Sequence, residues 1–468
     1  MAVLVIVTAL GVVAFSLTSY RDYVGDIFRG ISRSIALVTN PKISDHWKER
    51  VLPSYSLLIF ASSIKLLLSL IALFTPFLFC YALFQSQGFD LAGEALSVSG
   101  LLIATLVASS TLYAITQARK NNDAGYGYWD RLLHWLALSS DSVGETFLDI
   151  ELARHPVDPE EVRKGRHVFV TGLARGGTTI LMRSLHGTGR FTSLTYLDMP
   201  FVLAPNSWKQ LRGKTENCAA KERSHQDGIL VDFESPEALE EIFWRTLDGG
   251  AYIRPDKMCN HAMGDALIDR YARYIGVVNK SGGEHRYLAK NNNHVLRLGP
   301  LLKGFPNADF LVPYRHPLQQ ANSLRRQHRL LSESQRKNPF FKRYMNWLAH
   351  HEFGCNKKRM SPTDYPFAFN DPESLEFWLE EWISVYGYVA DLVDKHERIT
   401  PVGYEIACSN SIDFWHSVTG LVSVETETTP VLAESSRDIL YQGDKGLLNQ
   451  ALEIYQTLDR WSKQRLGL

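Results

Sequence analysis

Three uncharged apolar stretches crowd the first quarter of the chain: Met1 to Tyr20, Leu66 to Phe84 and Ala95 to Gln117. Each supplies the ~20 apolar residues that a membrane-spanning helix requires, and nothing comparable follows them. Residues 1–118 are therefore expected to form a transmembrane helical region with about three spans. Pro76, inside the second stretch, is tolerated in lipid. From Arg166 the periodicity changes. Short runs rich in branched and aromatic residues, at 166–172, 286–290, 308–314 and 399–404, alternate with helical stretches at 178–187, 235–247, 265–279, 294–304, 317–334 and 373–396. Strands punctuated by helices predict an α/β domain over 166–468, three-layered with a mostly parallel sheet. Residues 119–165 join the two regions. Asn121 to Gly127 reads as a flexible exit, and Trp129 to Leu138 as a short amphipathic helix with its tryptophans at the bilayer interface or in a core.

Basic residues orient the membrane region. Arg21, Arg29, Arg33, Lys42, Lys48 and Arg50 lie between the first two apolar stretches, with Lys65 at the edge; only Asp90 and Glu94 precede the third, and Arg119 and Lys120 follow it. The positive-inside rule then predicts a multi-pass chain with the C-terminal bulk in the cytoplasm. The alternative for the first stretch, a signal peptide, lacks a basic leading region and a clear small-x-small cleavage site.

The first strand of the α/β domain ends in the most informative stretch, Thr171-Gly172-Leu173-Ala174-Arg175-Gly176-Gly177-Thr178-Thr179, and a helix follows. Such a P-loop-like turn aims backbone N–H groups and the positive end of a helix dipole at one point, which suits phosphate or sulfate. Its spacing matches the ATP/GTP loop G-x-x-x-x-G-K-[ST], except that Thr178 stands where the lysine that reaches a γ-phosphate should be. Arg175 sits inside the loop instead, placed for the end of a ligand shorter than a triphosphate. A second anion site is written in Tyr314-Arg315-His316-Pro317 and Ser323: a guanidinium at a strand end and a hydroxyl two turns into the next helix can share one phosphate. Both sites fall at the C-terminal ends of predicted strands, where open α/β sheets bind ligands.

Arg175-Gly176-Gly177-Thr178-Thr179 resembles the 5′-phosphosulfate loop, usually Lys/Arg-Ser-Gly-Thr-Thr, of the sulfotransferases that use 3′-phosphoadenosine 5′-phosphosulfate (PAPS). Gly176 replaces the serine. Arg315 and Ser323 are similar to that family's 3′-phosphate signature, Arg-Asp/Asn-Pro with a serine eight residues after the arginine, and His316 departs from it. Lys290, ahead of Leu298-Gly299-Pro300-Leu301-Leu302 and Phe305-Pro306, resembles the strand-end lysine of the family. The resemblance covers about residues 166–420 and implies PAPS as co-substrate and no metal. Arg175, Gly176, Gly177, Thr178 and Thr179 would hold its 5′ end, and Arg315 and Ser323 its 3′-phosphate. Arg175 and Lys290 would stabilise the leaving oxygen as a loosely bonded SO3 group transfers.

The resemblance also bears on the general base. Related carbohydrate and tyrosine sulfotransferases place a carboxylate about twenty residues past the loop, and cytosolic ones a histidine two residues after the strand-end lysine. This chain has Asn292 at the second position, with His294 nearby, and Tyr196 and Asp198 near the first. Asp198 is the expected catalytic base. Asp227, Asp232 and Glu234 are further acidic candidates, while Ser235-Pro236-Glu237 reads as a helix start with N-cap, proline and first-turn acid. Tyr404-Glu405 resembles a Tyr-Glu pair of the family and reads as structural.

Other features narrow the function. Lys+Arg and Asp+Glu each total 50, so nothing global points to nucleic acid. Five widely spaced cysteines give no disulfide framework or C-x-x-C pair. His350-His351-Glu352 invites a metal reading, yet adjacent histidines do not share a helix face as in H-E-x-x-H. The basic run from Arg325 to Arg343 reads as a solvated face, a cover for the nucleotide or a surface for anionic lipid or glycan. Trp378, Trp382 and Tyr386 read as a core stripe. The sequence thus predicts a membrane-anchored sulfotransferase acting on a hydroxyl or amine of a glycan or lipid-linked acceptor at the membrane. A P-loop kinase and a non-catalytic nucleotide sensor are the alternatives, and the oligomeric state is not legible.

Overall fold

The computed structural model describes residues 20–39, 45–85, 128–212, 221–222, 230–231, 238–283, 286–409, 411–425 and 439–468, with 8, 97, 104–105 and 107–109 as isolated points. The apolar stretches at 1–20 and 95–117 therefore lie almost wholly outside the described residues, as do the 121–127 exit, Asp227, Asp232, Glu234 and Ser235 to Glu237. The chain divides into two compact units, Met1–Thr146 and Phe147–Leu468.

In the first unit, helix α1 (Tyr20–Thr39) folds back along α2 (Asp45–Gln85). Tyr23 meets Lys65, Ser62 donates to Asp26 at 3.5 Å, and Gly30 allows the helices to touch, since a Cβ there would lie 2.4 Å from Ile59. Gly25 lies against the Trp135 ring in the helix Tyr128–Leu138, so that tryptophan packs within the unit. The window of α2 apolar and long enough to cross a bilayer is Val51–Ile71. The helix therefore begins well before the expected span at Leu66: Lys65, read as an edge, is absorbed inside it with its ammonium over the Tyr23 ring. Phe28, Ile31 and Ile35 of α1 and Leu57, Phe60, Leu67 and Leu68 of α2 are exposed.

The second unit starts earlier than position 166. Glu151 is fully buried and accepts hydrogen bonds from Asn206 N and Ser207 Oγ, and Arg163 donates to the Gly304 carbonyl, which binds residues 147–165 into the domain. Its sheet is built from β1 (Val168–Val170), β2 (Phe191–Thr192), β3 (Arg286–Lys290), β4 (Asp309–Tyr314) and β5 (Ile399–Gly403) in the order β2-β3-β1-β4-β5. Every pairing is parallel. β1 is central, with Val170 opposite Lys290 on one side and Leu311 on the other.

Alternation along β1 makes the three layers. Val168 and Val170 pack into a core with Leu181 and Leu185 of α3 (Thr178–His186) and with Trp415 and Val418. Phe169 faces the other way, stacked on Phe310 and meeting Tyr271 of α4 (Asp265–Gly282). Both faces are buried, as a parallel sheet demands. Three further helices are fixed by their first turns: α5 (Pro317–Lys337) by proline at its start, α6 (Leu375–Val393) by the Ser374 cap on Phe377 N, and α7 (Lys445–Leu466) by the Asp444 cap on Leu447 N. Segments without sequence signal also appear, such as the parallel pair Lys257–Cys259 and Arg359–Ser361.

Candidate active site

The loop leaves β1 at Gly172 and enters α3 at Gly177, whose φ of 100° no side chain adopts without strain. Arg175, between them, holds φ 67°, an unusual conformation for a residue with a Cβ and one that clusters at functional sites. Gly176 explains the missing serine. A Cβ there would fall 2.7 Å from the Pro313 carbonyl oxygen and 3.0 Å from Gln320 Nε2, so only glycine fits between the loop and the end of β4.

Gln320, fully buried in α5, ties the two candidate anion sites together. Its amide nitrogen donates to the Ala174 carbonyl at 3.0 Å and to Tyr386 Oη at 3.0 Å; its oxygen accepts from Arg315 N at 3.2 Å and Trp382 Nε1 at 3.0 Å. Tyr386 in turn donates to the Pro313 carbonyl. Trp382 and Tyr386 are thus the core stripe the sequence suggests, and they also brace the site. No motif marks Gln320 in advance, since one glutamine in a polar helix carries no signal.

Arg315 follows β4 and is buried, yet its Nε has no hydrogen-bond partner. Its guanidinium lies 4.4 Å over the Tyr404 ring and 3.9 Å from a Glu405 oxygen, which itself accepts from His316 N at 3.0 Å. A buried guanidinium with an unsatisfied donor is a poor resting arrangement unless an anion completes it. Ser323 accepts from Arg175 Nε at 3.1 Å, so the cation of the loop and the hydroxyl of the second site are in direct contact. Burial lowers the pKa of His316, keeping its ring neutral beside Tyr455.

Lys290 ends β3, buried and level with Val170 at the mouth of the loop. Asn291 N bonds the Val170 carbonyl, and Thr171 Oγ1 donates to the Asn292 carbonyl at 3.1 Å, clamping this turn to the loop's first residue. His294 is wholly buried against Glu240 at 3.1 Å and is not presented to the site. Asp198 closes a 3-10 turn: its Oδ2 accepts from Thr195 N at 2.7 Å and Thr195 Oγ1 at 3.1 Å in a capping box.

Tyr404 packs against the loop: with Gly176, Gly177, Ile180, Phe414 and Trp415 it lines a small, shallow depression open to solvent. The only sequence signal for it is the Tyr-Glu pair itself. His350 and His351 spend ring nitrogens on the Ala238 and Asn356 carbonyls, and no group of three His, Cys, Asp or Glu among the described residues is placed to hold a metal ion. In the basic run, Arg325 and Arg329 turn to Glu373.

Residues 167–362 match the family model described as the sulfotransferase family. Two solved sulfotransferases resemble the chain: STF1 of Mycobacterium tuberculosis H37Rv, at 14% identity and a TM-score of 0.37, covering 71% of this chain and 84% of its own, and STF9 of Mycobacterium avium, at 12% and 0.40, covering 74% and 86%. No curated protein matches the chain significantly.

Proposed function

We propose that the protein, whose residues 167–362 match the sulfotransferase family model, transfers a sulfuryl group from PAPS to a hydroxyl or amine of a glycan or lipid-linked acceptor at the membrane. The buried, incompletely bonded Arg315 carries the reading, because it calls for an anion at the end of β4 while the loop of β1 calls for another. Arg315 and Ser323 would bind the 3′-phosphate. The amides of Gly176, Gly177, Thr178 and Thr179, with Arg175, would bind the 5′-phosphosulfate. In the transfer, the acceptor oxygen attacks sulfur opposite the bridging oxygen, whose growing charge Lys290 and Arg175 neutralise. No metal has a part in this scheme. The acceptor's proton must pass to a base, and spacing past the loop offers Asp198.

A membrane setting belongs to the same proposal. The apolar Val51–Ile71 window supports one membrane-crossing helix, and the basic residues flanking the apolar stretches of the sequence would put the catalytic unit on the cytoplasmic side.

Calorimetric titration of the full chain with 3′,5′-adenosine bisphosphate, ADP and ATP with magnesium tests the donor. Metal-independent binding of the bisphosphate, weakened at least tenfold in Arg315→Ala, is expected. Preference for ATP with magnesium would replace the assignment by a P-loop kinase.

A further inference from the structure

Glu352, part of a His-His-Glu run that holds no metal cluster, lies beside the turn that follows Lys290. We infer that Glu352, rather than Asp198, is the base that takes the acceptor's proton, an inference that rests on the sulfuryl transfer proposed above. Glu352 Oε1 accepts from Asn292 Nδ2 at 3.2 Å. Asn292 stands two residues past Lys290, is 6% exposed, and its backbone is held to Thr171 at the start of the loop. One side chain therefore separates the carboxylate from the place where Lys290 and the loop converge.

The other described carboxylates near the strand ends are committed elsewhere. Glu405 serves His316 N and stands beside Arg315, at the opposite phosphate. Glu240 and Glu241 are fully buried, against His294 and in a two-point pair with Arg297. Asp198 Oδ2 holds its own turn together. Glu352 is half-buried, with one oxygen oriented and no hydrogen bond to the other among the described residues. The charged groups facing it are His351, whose pKa burial lowers, and Lys357, which is paired through both oxygens of Glu381 at 2.6 and 2.7 Å.

The step balances without a further reactant. The acceptor O–H proton moves to Glu352 Oε2 as the O–S bond forms; the bond from sulfur to the bridging oxygen breaks, and its electron pair leaves on the 5′-phosphate. The products are a sulfate ester and 3′,5′-adenosine bisphosphate, and Glu352 returns its proton to water.

Glu352→Gln tests this cleanly, because the new amide oxygen still accepts from Asn292 and only basicity is lost. Transfer from radiolabelled PAPS to a membrane glycolipid extract, catalysed by the full chain, should fall ~10²–10⁴-fold in kcat, with bisphosphate affinity unchanged. Asn292→Ala, which removes only the orienting contact, should lower kcat by a smaller factor, again without loss of bisphosphate binding. A Glu352→Gln chain that transfers within a few-fold of the parent, or a loss that appears only in Asp198→Asn, overturns Glu352 as the base. Failure of the parent chain to bind the bisphosphate overturns the donor assignment instead, so the two failures are distinguishable.

Discussion

Gly176 shows how a departure from a family motif follows from its neighbours. The position where a serine is usual lies under the Pro313 carbonyl, and a Cβ would sit 2.7 Å from that oxygen. Restoring the familiar residue should therefore harm the protein. Gly176→Ser is expected to destabilise the domain by ~1–3 kcal/mol through overpacking and to weaken bisphosphate binding about tenfold, which is ~1.4 kcal/mol; urea unfolding and calorimetry read the two effects, and a tighter-binding serine variant would show that the loop yields. At this level the sequence spoke unevenly. Arg175, Arg315 and Ser323 are legible as candidate anion contacts because phosphate recognition demands particular residue types at strand ends, and Lys290 is legible through the family resemblance. Gln320 and Glu352 are not, since their roles come from contacts far away in the chain, Glu352 and Asn292 being 60 residues apart.

The central strand illustrates what an element owes to its anchors. β1 is only three residues long, and His167 just before it spans two neighbours: its Nε2 donates to the Val162 carbonyl at 2.7 Å, and its Nδ1 accepts from Tyr287 N in β3. Burial lowers this histidine's pKa to about 4, and does the same to His328, about 4, and His261, about 3. All three are neutral in the folded chain and take up protons more readily once unfolded. Stability is thus fully present above about pH 6.5 and is lost as the pH falls from there toward 4. At pH 5.5 each should cost about 1 kcal/mol. Urea midpoints measured at pH 7.5 and 5.5 should differ accordingly, and a flat profile would mean that these rings are protonated in the native state. The helices and strands with strong periodicity, such as 286–290 and 317–334, lie where the sequence puts them. The strand Arg359–Ser361 escapes detection because buried ion pairs place it, Arg359 with Glu380 and Lys357 with Glu381 of α6, not a local pattern.

Each of the two units has its own demand on its surroundings. Exposed Phe28, Ile31, Leu57, Phe60, Leu67 and Leu68 leave the helices of the first with apolar faces, and a bilayer is the solvent that suits them. The full chain should sediment with membranes and resist extraction by alkaline carbonate; release into the soluble fraction would remove the membrane from the proposal. In the second unit, Gln320 fastens the loop of β1 to the same helix start that carries Arg315 and Ser323. The gap between the two ends of the proposed donor is then set by the pitch of a helix rather than by the breathing of a loop. On the proposed reading the site would act as a gauge of how far apart a molecule's charges lie, and a nucleoside triphosphate would be refused on spacing alone, without any residue having to repel it.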